Sequence, residues 1–259
     1  MYPDILNLYG DIGNFISVKK RCQWRGIDVN IKQFTIDDES DLQSADIILI
    51  GGGSDNGQNI ISKHISNQRN VLENFIEDGK VILAICGAYQ FFGNSYINPN
   101  NQKMSCLEIF DIETKSSKER LTGNILISNN LNFDSFEGLS NFDSFASMTN
   151  SDLNDVVGFE NHGGRSYHKY DPLGEVKIGF GNNGKDGKEG MIYKNFIGSY
   201  IHGPLLGKNP HITDYMILTA LKNKYDMDFL KENIPTLSTI DDNIEIDAHN
   251  VMKQRLLKS

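Results

Sequence analysis

Of the three cysteines in this 259-residue chain, Cys86 sits in a context suited to chemistry. The run Val81-Ile82-Leu83-Ala84-Ile85-Cys86-Gly87-Ala88-Tyr89-Gln90 is apolar up to the sulfur, turns on small residues, and continues as a helix-like stretch, Ala88–Phe92. A strand that breaks into a helix at a reactive residue is a nucleophile elbow, here with sulfur in place of a hydroxyl. The free N–H groups and partial positive charge of a helix N-terminus favour thiolate over thiol. The same N–H groups can hold an oxyanion when a carbonyl is attacked, and small residues at 87 and 88 let a substrate approach the backbone. Cys22, inside a helix pattern, and Cys106, between Ser105 and Leu107, read instead as small buried hydrophobes. A base for Cys86 is available in His202, which ends the apolar run Asn195–Ile201. Gly51-Gly52-Gly53, directly after a second apolar run, offers further backbone donors.

These residues need rigid elements beneath them. Phe15–Trp24 reads as a helix stopped by Gly26, and Ile27–Phe34 alternates as a strand. Asp46–Ile50 and Lys80–Ile85 are continuous apolar runs, as expected of strands covered on both faces. Gln58–Asp78 reads as one helix ending at Gly79. Strands separated by helices predict βαβ units and a mostly parallel, open α/β sheet flanked by helices. Asn129–Asp155, rich in Asn, Ser, Asp and Phe, reads as a long loop or insertion. Val176–Phe180 and Gly190–Tyr193 read as strands around a Gly/Asn-rich turn, and Asn195–Ile201 as the strand that delivers His202. Ile212–Lys224 and Ile244–Leu257 read as helices. The expected division is a domain over 1–206, with an insertion near 129–155, and a C-terminal helical extension over 207–259 packing on it.

The net charge of −9 and the absence of a basic cluster beyond Lys19-Lys20-Arg21 argue against a nucleic-acid binder. No stretch approaches the ~20 apolar residues that span a bilayer. The N-terminus has no signal-peptide pattern, and few unpaired cysteines suit a reducing compartment, so a cytoplasmic location is expected.

Ala84-Ile85-Cys86-Gly87-Ala88-Tyr89-Gln90 resembles the G-x-C-x-G-x-Q elbow of class I glutamine amidotransferases, which have a flavodoxin-like fold. Gly51-Gly52-Gly53 resembles that family's oxyanion loop, and Tyr200-Ile201-His202-Gly203-Pro204 its histidine strand. A narrower likeness adds Leu6-Asn7-Leu8-Tyr9-Gly10-Asp11-Ile12-Gly13-Asn14, Arg120-Leu121-Thr122-Gly123 and Gly158-Phe159-Glu160-Asn161-His162-Gly163-Gly164-Arg165. Together these resemble the GatD-type subunit, the glutaminase half of the enzyme that amidates lipid II, within the cobyric-acid-synthase-like branch. The likeness runs from Ile5 to about Lys224. Three departures stand out, one being that Asn129–Asp155 is longer than this family leads one to expect. Ala84 and Ala88 replace glycines, and Pro204 stands where many class I members carry a glutamate that orients the histidine. Another group must then orient His202, for instance one from a partner subunit.

The resemblance implies Cys86 as nucleophile and His202 as general acid and base. It implies backbone N–H groups of Gly52, Gly53 and Gly87 around the oxyanion, and Gln90 lining the glutamine pocket. Arg120 is implied to grip the substrate α-carboxylate, which a planar guanidinium can do bidentately. The implied partner is a Mur-ligase-like (MurT-type) subunit in a heterodimer. ATP and magnesium are expected there, since this chain shows no Walker-type loop; no cofactor is expected here. Glu160, His162 and His168 fit no zinc spacing and are expected to shape structure or pocket rather than hold metal. Three rivals remain at this level: a glutaminase serving a cobyrinic-acid-type synthetase, a non-catalytic interaction module on the same fold, and a cysteine hydrolase of similar fold acting on peptides.

Overall fold

The computed structural model describes residues 1–37, 41–98, 100–136 and 154–258. The first elements are α1 (Ile12–Arg25), β1 (Ile47–Ile50), α2 (Asp55–Ser66), α3 (Arg69–Glu77), β2 (Val81–Ile85) and α4 (Gly87–Phe91). Then come β3 (Ser95–Ile97), β4 (Lys103–Met104) and two long strands, β5 (Glu113–Asn129) and β6 (Asp155–Tyr167). Short strands follow: β7 (Gly174–Ile178), β8 (Lys188–Glu189), β9 (Met191–Tyr193), β10 (Phe196–Ser199) and β11 (Ile201–His202). Helices α5 (Leu205–Lys208), α6 (Pro210–Lys224), α7 (Met227–Asn233) and α8 (Asn243–Leu257) close the described chain.

Two sheets share the core. The first has the order β1-β2-β10-β9, with β1 and β10 both parallel to β2 and only β9 antiparallel. Every residue of β2 is buried, which its unbroken Val-Ile-Leu-Ala-Ile composition permits because both faces are covered. The second sheet has the order β11-β6-β5-β3-β4, with β7 beside β5 and β8 beside β7, and is dominated by the antiparallel β5–β6 ladder. The expected α/β class holds, with the parallel register mainly in the first sheet and the β3–β5 pair its one parallel ladder in the second among the described residues.

Several boundaries differ from the sequence expectation. Ile27–Phe34 forms no strand. No neighbouring ladder pairs with it, its buried anchor is Phe34, and the carbonyl of Phe34 accepts from Tyr2 N–H at 2.6 Å. The single helix expected over 58–78 is two, α2 and α3, parted at Asn67-Gln68. The strand expected over 195–201 is also two. Ser199 ends β10 in the first sheet, Tyr200 makes the crossing, and Ile201-His202 pairs with β6 in the second. The crossing is pinned by Glu189 Oε1, which accepts from Ser199 Oγ at 2.7 Å and Tyr200 N–H at 2.8 Å. Of the loop expected over 129–155, residues 137–153 lie outside the described residues.

Helix α6 is buried on nearly every side from Pro210 to Ala220, so it is a core helix. It fixes α1 through a buried ion cluster: Arg21 meets Asp214 and Asp242, each at 2.6 Å, and Arg25 meets Asp214 at 2.6 Å. Removing one member of such a cluster strands a buried charge, at a cost of about 3–5 kcal/mol. This clamp fixes the C-terminal half of α1, while its N-terminal end is held to the segment after β11 by Asn14, whose Oδ1 accepts from Leu206 N–H at 2.8 Å. No described helix is long and apolar enough to cross a membrane.

Candidate active site

Cys86 caps the N-terminus of α4 with φ +51° and ψ −107°. A non-glycine residue held in so sparse a region stores about 1–3 kcal/mol. Both of its peptide groups are tied: its N–H donates to Ser199 O at 2.7 Å, and its carbonyl accepts from Gln90 N–H at 3.0 Å. The turn is therefore set by β10 on one side and α4 on the other, and the sulfur faces the end of the sheet with 8% of the residue exposed.

His202 lies at this same end, fully buried. Its Nδ1 sits 3.0 and 3.1 Å from the two carboxylate oxygens of Asp11. A ring nitrogen held by a carboxylate fixes tautomer and ring orientation. The other nitrogen, Nε2, makes no hydrogen bond of normal geometry. Burial opposes charge on the ring, but the Asp11 carboxylate and the Cys86 sulfur outweigh it and push the imidazole up to about 10. The orienting group therefore comes from this chain, eleven residues from its start, and not from a partner subunit. Asp11 lies within the Leu6–Asn14 motif, but its role is not legible there because 191 positions separate it from His202.

The rest of that motif grips the same segment. Tyr9 packs edge-on to the His202 ring at 4.9 Å, and Asn14 Oδ1 accepts Leu206 N–H at 2.8 Å. A side chain at Gly13 would lie 2.4 Å from the Pro204 ring. At Gly52 a Cβ would come within 2.7 Å of His202 Cε1, 3.2 Å of Asp11 Oδ2 and 3.2 Å of Cys86 Cβ. Cys86, His202 and Asp11 thus converge on one point that only glycine leaves open.

The glycine loop is fixed plane by plane. Gly52 N–H donates to Asp11 Oδ2 at 2.6 Å, and Gly52 O accepts from Leu8 N–H at 3.1 Å. Of the three N–H groups expected around an oxyanion, that of Gly52 already has a partner; those of Gly53 and Gly87 have none among the described residues. Gly87 opens α4, where the first N–H groups lack intrahelical acceptors. Gln90, expected to line a pocket, is turned inward: its Nε2 donates to Tyr200 OH at 3.1 Å and its Oε1 accepts from Gln58 Nε2 at 3.4 Å. Arg120 is exposed in the irregular stretch of β5 between Ser116 and Leu121, where it donates to Asn161 Oδ1 at 2.7 Å and Asn161 O at 2.6 Å. It makes no contact with Cys86.

Residues 1–210 match the CobB/CobQ-like glutamine amidotransferase domain. The chain belongs to this family. It is similar to the GatD subunit of the glutamine-hydrolysing lipid II isoglutaminyl synthase of Staphylococcus aureus strain N315, at 41% identity over 97% of this chain and 92% of that protein. The subunit of the same name from Streptococcus pneumoniae strain R6 is 33% identical over 88% and 81%. Among solved structures, PurLQS from Thermotoga maritima superposes with a TM-score of 0.54 at 14% identity, over 87% of this chain and 96% of that one, a likeness of fold.

In this amidotransferase, Glu160 and His162 form a buried pair, with His162 Nε2 3.7 Å from Glu160 Oε2, and each has further contacts. Glu160 accepts the N–H groups of Phe180 and Gly181 at 2.7 and 3.0 Å. His162 stacks on Tyr200 at 3.7 Å between ring centres, and His168 contacts Asn182. A cavity of about 630 Å³ lies between α1, the 27–34 segment and β1. It reaches the site only at Asp11 and Gly51; neither Cys86 nor His202 lines it, so it is not the space where the sulfur would meet a substrate.

Proposed function

We propose that this chain is the glutaminase subunit of a lipid II isoglutaminyl synthase. The observation that carries the reading is the convergence of Cys86, His202 and Asp11 on the Gly52 gap, in a chain that shares 41% identity with GatD along nearly its whole length. The Cys86 thiolate attacks the side-chain amide carbon of L-glutamine. A protonated imidazole beside sulfur is the arrangement that favours thiolate. The tetrahedral oxyanion is held by the N–H groups of Gly53 and Gly87, each donor contributing about 3–4 kcal/mol to the barrier reduction. His202 then gives its proton to the departing nitrogen, ammonia leaves, and a γ-glutamyl thioester remains on Cys86. Water, deprotonated by His202, hydrolyses the thioester to glutamate and restores the thiol–imidazole pair.

The ammonia passes to a Mur-ligase-like (MurT-type) subunit in a cytoplasmic heterodimer. That partner binds ATP and magnesium and amidates the D-glutamate α-carboxylate of lipid II. Arg120 receives the α-carboxylate of glutamine. Residues 1–206 form the glutaminase unit, with α6 of the 207–259 segment built into its core and the later helices packed on it. The test is glutamate release from glutamine by the purified complex, comparing wild type with Cys86→Ala. The variant should fall to background; an unchanged rate ends the catalytic reading and leaves an interaction module. Co-purification with a corrinoid-pathway synthetase instead of a Mur-ligase-like protein would reassign the substrate, a rival kept alive by the CobB/CobQ-like character of the domain.

A further inference from the structure

Gln58 has no part in the expected chemistry, yet its amide lies where the two halves of the oxyanion site meet. It stands in the first turn of α2, with 3% of the residue exposed. Its Nε2 donates to Gly53 O at 3.2 Å and to Gln90 Oε1 at 3.4 Å. The same nitrogen lies 2.3 Å from where a Cβ at Gly87 would be. One side-chain amide therefore touches the glycine loop, the elbow residue after the nucleophile, and the brace beneath α4.

The consequences follow from peptide planarity. In a trans peptide, N–H and C=O point in opposite directions, so fixing one fixes the other. Leu8 N–H holds Gly52 O, which aims the Gly53 N–H away from Leu8. Gln58 holds Gly53 O, the carbonyl of the following peptide with Ser54, and so restrains Gly53 from its other side, against rotation about the bond that joins the two planes. Beyond Gln58 the contact continues inward: Gln90 Nε2 donates to Tyr200 OH, which shares a 2.7 Å bond with Ser166 Oγ, itself 2.7 Å from Thr114 Oγ1. The glycine loop is thereby tied to the β5–β6 ladder. Gly87 and Gly164 lack side chains where these amides pack: a Cβ at Gly164 would lie 2.4 Å from Gln90 Nε2.

We propose that Gln58 is a positioning residue for the acyl-transfer step, holding the Gly53 and Gly87 N–H groups at the separation a tetrahedral oxyanion needs. The proposal rests on the glutaminase reading above. Loss of a single oxyanion donor lowers kcat by roughly 10²–10³-fold; misplacing one should lower it by about tenfold or more.

The experiment uses the complex with its synthetase partner and compares wild type, Cys86→Ala, Gln58→Met and Gln58→Glu. Gln58→Met keeps the shape and loses the donor. Its kcat for glutamate release should fall at least about tenfold, with KM and the rate of Cys86 alkylation by iodoacetamide within twofold of wild type. Alkylation needs the thiolate but no oxyanion, so a change confined to packing would move both rates together. In Gln58→Glu the donor returns only when the carboxyl is protonated, so its kcat relative to wild type should rise as pH falls. That ratio keeps the test decisive if the Met variant does not fold. A Gln58→Met kcat within twofold of wild type, a parallel loss of alkylation, an effect on KM alone, or a Gln58→Glu ratio flat with pH each overturns the proposal. Failure of the glutaminase reading looks different: glutamate release in wild type would be no higher than in Cys86→Ala.

Discussion

The parallel sheet and the antiparallel sheet meet at Tyr200, and they contribute differently to the site. The parallel side supplies Cys86 at the end of β2 and the glycine loop after β1, with Asp11 at the start of α1 alongside. The antiparallel side supplies His202 on β11 and the wall behind it, with Glu160, His162 and Glu189 inside and Arg120 outside. The division follows from backbone geometry. Parallel strands covered by helices end together at one edge, where helix N-termini and loops collect. A long antiparallel ladder has no such edge, and its alternating faces make a wall. The reacting groups, His202 at the seam included, should therefore respond in kcat, and the wall behind them should respond in KM or stability.

The largest effect is expected at Asp11. Asp11→Asn keeps the shape but removes the carboxylate that meets both His202 Nδ1 and Gly52 N–H, and kcat for glutamate release should fall by about 10²–10⁴-fold. The same change alters the response to pH. The ring is raised from 6.5 to about 10 in the folded state, so its contribution to stability is fully present below 6.5 and is lost as pH rises through 10. Wild-type melting temperature should drop between pH 7 and pH 10, and Asp11→Asn should flatten that drop. An unaltered pH response would show that another group holds the proton.

Gly52→Ala comes next. Its methyl would intrude within 2.7 Å of His202 Cε1 and 3.2 Å of Cys86 Cβ, pushing the two reacting groups apart. A displacement of this kind costs about 10–100-fold in kcat, to be read against melting temperature to separate it from unfolding. Arg120→Ala tests the wall: KM for glutamine should rise by about tenfold or more with kcat kept, the signature of lost uniform binding. A fall in kcat without a rise in KM would break the proposed division.

The smallest effect is expected at Glu189. Burial pushes its carboxyl up to about 7, with the nearby Glu160 charge adding to the shift against hydrogen bonds from Ser199 and the Tyr200 backbone. Its contribution is complete below 4.5 and is lost as pH rises through 7. Glu189→Gln retains an oxygen for Ser199 and Tyr200, so it should melt a few degrees above wild type at pH 8, a gap that closes near pH 5. An equal gap at both values would mean the residue stays neutral throughout.

The two regions also differed in legibility. The runs Asp46–Ile50 and Lys80–Ile85 stand out because Ile47–Ile50 and Val81–Ile85 are apolar without interruption; β2 is buried throughout, while Ile47 and Leu49 of β1 are only half-buried. The ladder of β5 and β6 went unread: residues such as Lys115, Ser117, Lys118 and Glu119 interrupt its alternation, and its register shifts between Ser116 and Leu121. Ile27–Phe34 shows the converse, an alternating stretch that finds no partner strand. The sheet change at Tyr200 is likewise set by contacts remote in sequence, whereas the break at Asn67-Gln68 is closed by local bonds, Gln68 N–H to Ile65 O and Leu72 N–H to Gln68 O.

Local order along the chain was enough to mark Cys86 as a sulfur on a bend, His202 as a ring at a strand end, and Gly51-Gly52-Gly53 as a loop after a buried strand. Each of those features depends on neighbours a few residues away, and such patterns survive in a linear reading. Which carboxylate holds the ring, which N–H groups stay free, and that Gln90 faces inward toward Gln58 and Tyr200 depend on groups 32 to 191 positions apart. Only the folded chain brings those groups to hydrogen-bonding distance, so only the tertiary structure could decide them.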